Sequence, residues 1–157
     1  MAEDVIEEQI EDRGEPAVRT LAMPADTNPS GDIFGGWVLA QMDLAAGIVA
    51  GQRARGRVAT AALDGMSFHR PVYVGDLVSC YARVVRIGHS SMAVQVDTFV
   101  LRRRTGEEVK VTEGRFTVVA IDEEGRPRPV PPDAPGPHPG TRGLSPKGAR
   151  EGRRTRP

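Results

Sequence analysis

Asp43 is the residue most at odds with its surroundings in this sequence. It lies within Trp37–Ala50 (WVLAQMDLAAGIVA), an almost wholly apolar run in which Gln41 is its polar companion. An ionised carboxylate is costly to bury unless something pairs with it or uses it. Apolar surroundings also raise a carboxyl's pKa and make it a stronger base. Beside a carbonyl, such a group would activate a water or attack the carbon itself. An aspartate paired with an arginine of a neighbouring strand fits the same pattern. The residues alone leave these two readings even.

Two further features precede it. Asn28 sits in a stretch of turn chemistry, Asp26–Asp32 (DTNPSGD). Its amide can donate to and accept from a water or a carbonyl, although an Asx-turn before Pro29 is the ordinary explanation of a lone Asn there. Gly35 and Gly36 then open the apolar run. If that run is a helix, their N–H groups point out of its N-terminus, where the dipole favours negative charge. A carbonyl docked there would meet an oxyanion hole. A tight turn that needs glycine is compatible with the same role. The three histidines and single cysteine have no metal-ligand spacing, and no Gly-x-Ser-x-Gly is present. Cys80 falls in a strand pattern and reads as packing.

The elements that position these residues follow from the pattern. At 157 residues the chain fits one domain with tails. Its formal net charge is zero, which gives no strong global field to attract nucleic acid or a membrane, although the charge is unevenly distributed. Residues 1–14 are acidic and read as flexible. Residues 132–157 are basic and Pro-rich, and nine of the 13 prolines lie at or after Pro127, so that residues 127–157 read as extended or disordered. The N-terminus has no basic n-region or apolar h-region, and one cysteine excludes an intrachain disulfide. Both predict a cytoplasmic protein.

Between the tails, Ala17–Met23 reads as a first strand ending at Pro24. The apolar run is too short to span a bilayer. Being apolar all round, it predicts a helix buried on every side, terminated at Gly51. Four strand patterns follow: Arg57–Phe68 with a bulge at Gly65, Leu77–Ile87, Met92–Arg103 and Val109–Ile121, where the core ends. In the third, Met92, Val94, Val96 and Thr98 share a face. Short turns between successive strands require antiparallel pairing. One sheet cannot cover a helix on all sides. A second copy, pairing sheet edges and enclosing the helices, would do so, most simply as a twofold dimer.

The stretch TLAMPADTNPSGDIFGGWVLAQMDLAAG resembles the start of the hotdog-fold acyl-CoA thioesterases of the YciA type. GRVAT, Arg70-Pro71, VGD and IGHSS fit as well, so the resemblance runs from about Arg19 to Pro131. It implies an α+β hotdog fold over residues 15–131, one long buried helix wrapped by an antiparallel sheet of about five strands. It also implies hydrolysis of acyl-CoA thioesters by a homo-oligomer, with a dimer as unit and often a trimer of dimers. On this resemblance Asp43 is general base or nucleophile, Asn28 assists it, and Gly36 contributes to the oxyanion hole. Gly35, Arg57, Arg70, Gly88, Ser90 and Ser91 match positions that line the coenzyme A groove, with His89 beside them. Coenzyme A is part of the substrate, and neither cofactor nor metal is implied. Trp37, Leu39, Ala40, Leu44 and Ala46 are candidates to line the acyl tunnel.

Two other functions fit the same fold. A non-catalytic acyl-CoA sensor would need an attached DNA-reading module, for which fewer than 20 residues before the first strand leave no room. A hotdog enoyl-CoA hydratase carries Asp-x-Asn-Pro followed by an apolar residue and His. Here Ser30 and Gly31 stand in those places. His69 lies far along the chain and reads as structural or groove-lining, and the Arg102–Arg104 run as a solvated strand end.

Overall fold

The computed structural model describes residues 13–133. The expectations for residues 1–12 and for the tail from residue 134 lie outside the described residues.

Five strands form one antiparallel sheet: β1 Val18–Leu21, β2 Val58–Phe68, β3 Leu77–Ile87, β4 Ser91–Leu101 and β5 Glu108–Ala120. Their order is β1-β3-β4-β5-β2. The helix α1, Gly35–Ala54, packs across one face. The predicted succession of strand, helix and four strands is therefore present, with boundaries moved by a few residues. β1 is shorter than Ala17–Met23, and a single 3-10 turn, Pro24–Asp26, follows it.

The core is built by period-two burial against helical periodicity. Met92, Val94, Val96, Thr98 and Val100 of β4 are buried on one face, and Val111, Phe116, Val118 and Ala120 of β5 lie beside them. From α1, Val38, Met42, Ala45, Ala46, Ala50 and Ala54 meet this face. The alanines let the helix axis approach the sheet closely. Gly114 makes room for the largest of these helix side chains: a Cβ there would lie 3.4 Å from the Met42 methyl and 3.3 Å from Leu63.

Within one chain α1 is covered on one face only, which agrees with the expectation that one sheet cannot enclose it. Leu44 is 56% and Ile48 42% exposed, and Asp43 is exposed between them and Ala40. The sheet covers only one face of a helix, and the sequence marks both faces as apolar. Two expectations need correction. First, Gly51 does not end the helix. One more turn runs to Ala54, and Arg55 makes the exit with a left-handed φ of 54°. That turn persists because Ala54 is buried and Arg128 donates to its carbonyl at 2.9 Å. A Cβ on Gly56 would come within 2.8 Å of the same guanidinium, so glycine clears its path. Second, ordered structure continues past Ile121. Ile121 bridges to Pro127, Val130 N–H bonds to the His89 carbonyl, and Arg53 donates to the Pro131 carbonyl at 2.6 Å.

The bulge expected at Gly65 is present, with φ +61° and a register break between Asp64 and Ser67. The sheet ends differ sharply. β1 is four residues long, whereas β2 presents an eleven-residue edge exposed along most of its length.

Candidate active site

The loop that introduces α1 is held by its own polar groups. Thr27 and Ile33 bridge across it, and Asn28 N–H donates to the Asp32 carbonyl at 2.7 Å. The Asn28 side-chain carbonyl accepts from Ser30 N–H at 2.9 Å and Asp32 N–H at 3.1 Å. Both its lone pairs are thus engaged, which is the Asx-turn arrangement. The expectation that this amide both donates and accepts is corrected: what Asn28 retains for a ligand is its NH₂ group.

The same loop delivers the chain to the helix start. Phe34 N–H bonds to the Asp26 carbonyl at 3.0 Å, and Ile33 N–H reaches the Val72 carbonyl at 3.3 Å. Trp37 and Val38 N–H both turn back to the Phe34 carbonyl, and Phe34 supplies no side-chain cap. Among the described residues, Gly35 and Gly36 N–H therefore remain as open donors at the positive end of the helix dipole. The Phe68 ring lies over Gly35, 3.4 Å from where a Cβ would stand, and space beside Gly36 is open.

Asp43 lies two turns further on. Its Oδ1 accepts a hydrogen bond from the Thr60 hydroxyl at 2.6 Å. Thr60 sits on the edge strand β2, next to a second register irregularity between Thr60 and Ala62. No arginine from a neighbouring strand pairs with Asp43, so that reading of its placement falls away among the described residues. Neither is Asp43 enclosed by this chain alone; it stands on the exposed stripe of the helix beside Leu44. Thr60 is the member of this constellation that the sequence reading missed. A lone Thr in a small-residue strand carries no signal until the strand is placed beside the helix.

The residues expected to line the coenzyme A groove separate into two groups. Arg70 follows β2 at the end of the sheet where α1 begins; its N–H reaches the Val111 carbonyl at 3.3 Å and its side chain is exposed. Gly88, His89, Ser90 and Ser91 form the β3–β4 turn at the opposite end, with Gly88 N–H bonded to the Ser91 carbonyl at 2.7 Å. Arg57 lies at that end too, donating to the Asp122 and Glu123 carbonyls at 3.2 and 2.9 Å. An eleven-residue strand separates the two groups, roughly 30 Å. One chain does not unite them. Of the candidate tunnel residues, Ala40 and Leu44 are exposed, Trp37 and Leu39 pack partly against the core, and Ala46 is core.

Two titratable groups stand apart. His69 Nε2 lies 3.6 Å from Glu113, near the surface. The hydrogen bond from Lys110 holds the Glu113 carboxyl below the usual range against partial desolvation, with the Lys110 and His69 charges assisting. Cys80 is fully buried. Burial pushes its thiol up to about 11, against a smaller opposing effect of the Thr98 hydroxyl 3.4 Å away. It is packing, not nucleophile.

Comparison with known proteins adds four relationships. Residues 30–107 match the family model of the thioesterase superfamily. Over 122 residues the chain is 49% identical to the acyl-CoA thioester hydrolase YciA of Salmonella typhimurium, covering 76% of this chain and 92% of that protein. Among solved structures, a hexameric broad specificity acyl-coenzyme A thioesterase is 45% identical, with a TM-score of 0.72 over 75% of this chain and 82% of that one. A hexameric hotdog fold thioesterase of Campylobacter jejuni is 41% identical, with a TM-score of 0.73 over 76% and 92%.

Proposed function

Since this chain belongs to the thioesterase superfamily, among the hotdog-fold relatives of YciA, we propose that it hydrolyses acyl-CoA thioesters to a free carboxylic acid and coenzyme A. The observation that carries the mechanism is the Thr60–Asp43 hydrogen bond on an uncovered helix face, with open N–H donors at the start of the same helix. Thr60 donates to Oδ1 and orients the carboxylate, leaving Oδ2 for a water or the thioester carbon. Acting as base, Asp43 takes a proton from water as oxygen attacks the carbonyl carbon. Acting as nucleophile, it forms an anhydride that water then opens. In both routes the carbonyl oxygen becomes an oxyanion held by helix N–H groups, with the Asn28 NH₂ as a further donor. Collapse expels coenzyme A as a thiolate. Water is the only co-reactant, and coenzyme A belongs to the substrate.

Geometry then calls for two copies. Gly36 and Asp43 are separated by about 10 Å along one helix. A reacting carbonyl must lie about 3 Å from both base and oxyanion donors. A helix start and an Asp43 from one chain cannot meet at one carbonyl, whereas two chains related by a twofold can bring them together. Antiparallel pairing of two β2 edges would continue the sheet, cover Leu44 and Ile48, and place the helix-start end of one chain beside the Gly88–Ser91 end of the other. The two separated groups of groove candidates would then face one another. Hexameric relatives support a trimer of such dimers. Fatty acyl chains suit an apolar seam of this kind, and a reducing, cytoplasmic setting suits the single cysteine. Among the described residues no helix is long and apolar enough to cross a membrane.

The test is thiol release from straight-chain acyl-CoAs, acetyl to palmitoyl, by the full chain. We expect turnover of several lengths, because apolar pockets separate single methylenes only modestly. Binding without thiol release would leave the sensor reading in its place.

A further inference from the structure

We infer that Arg102 is a positioning residue for the helix-start donors, acting through Asp76 and the loop Pro71–Asp76. The inference rests on the oxyanion role proposed above for Gly35 and Gly36. Arg102 was expected to be a solvated strand end. Instead its side chain is mostly buried at the end of β4, and Asp76 is buried to 3% exposure. One Arg102 nitrogen donates to Asp76 Oδ2, and the other donates to the Pro71 carbonyl at 3.1 Å. Its guanidinium stacks over the Tyr73 ring, 4.6 Å from the centroid. Asp76 Oδ2 also accepts from Tyr73 N–H at 2.8 Å. One guanidinium therefore holds the first residue, the middle and the last residue of this loop.

The loop in turn holds the helix start. Its Val72 carbonyl accepts Ile33 N–H, and both side chains are buried in the core. Ile33 stands two residues before Gly35, so the path of the first helical N–H groups is fixed at this point. On its other side the loop is tied to β1, through Gly75 N–H to the Ala22 carbonyl at 2.8 Å and Ala22 N–H to the Asp76 carbonyl at 2.9 Å. Those bonds keep the fold when Arg102 is changed, while the Val72–Ile33 end loses its brace. Lysine cannot replace arginine here. An ammonium can pair with Asp76, yet it lacks the second arm for Pro71 and the plane that stacks on Tyr73.

Full-length Arg102→Ala and Arg102→Lys are compared with wild type in thiol release, at a temperature well below each melting point. Removing the brace should lower kcat on the order of tenfold with KM within about twofold, since misplacement of the donors is felt in the transition state. Arg102→Lys should fall between. Gly35→Pro deletes one helix-start N–H at a position where proline is tolerated, and Phe34 before it is already extended (ψ 133°). If Arg102 acts through these donors, Arg102→Ala should cost much less in the Gly35→Pro background than alone. Full additivity, or an unchanged kcat in a folded Arg102→Ala, would overturn the positioning role. An unchanged kcat in Gly35→Pro would instead overturn the oxyanion role of Gly35, on which the positioning role rests.

Discussion

Thr60 on the edge strand donates its hydroxyl to Asp43 on the helix at 2.6 Å, joining the one exposed carboxylate of the apolar run to the sheet margin. The bond ties the helix face to β2 without burying the carboxylate in its own chain. It also orders which oxygen is free. A general base needs one oxygen unencumbered, and Thr60 occupies the other.

Asp43→Ala should therefore remove turnover by about a hundredfold or more while leaving secondary structure and assembly intact, because alanine suits the helix. Thr60→Val, which keeps the shape and loses the donor, should lower kcat about tenfold, and Thr60→Ser should recover most of it. Steady-state thiol release with circular dichroism decides both. A folded Thr60→Val with wild-type kcat would reduce the bond to a structural tie.

Leu44→Asp places a second carboxylate on the exposed helix stripe. If this stripe is the seam between two copies, the variant should elute as a smaller species and lose at least about tenfold in turnover, since burying an unpaired charge is costly. Light scattering after gel filtration measures the mass. Unchanged mass and activity would move the seam elsewhere.

Arg128→Ala should destabilise without touching chemistry. Arg128 donates to the Ala54 carbonyl at the helix end and to the Ile121 carbonyl at 3.0 Å. Removing these two charge-assisted bonds should cost about 2 kcal/mol in denaturant unfolding at fixed protein concentration, with kcat unchanged.

Cys80 should be silent in the native protein. With its thiol pushed up to about 11, roughly one part in a thousand is thiolate at pH 8, and burial blocks access. A thiol reagent should titrate no cysteine in the native chain and one per chain after unfolding in guanidinium. Rapid native reaction would mean that the β3–β4 core opens readily.

Much was determined by the sequence itself. Alternation in Met92–Thr98 assigned a buried face that the structure reproduces, because a period of two leaves a strand no other choice. Gly65 announced its bulge, and short turns required antiparallel neighbours. Asp43 was conspicuous as the carboxylate in an apolar run. Tertiary structure alone decided the rest, because contacts across elements leave no local trace. An apolar helix reads the same whether its second face meets its own sheet or another copy, and only placement showed Leu44 and Ile48 uncovered. Thr60 gained meaning only when β2 came to lie beside the helix. Arg102 looked like one of three surface arginines until folding set Asp76, Pro71 and Tyr73 around it, where burial and a forked donor turn a charge into a brace.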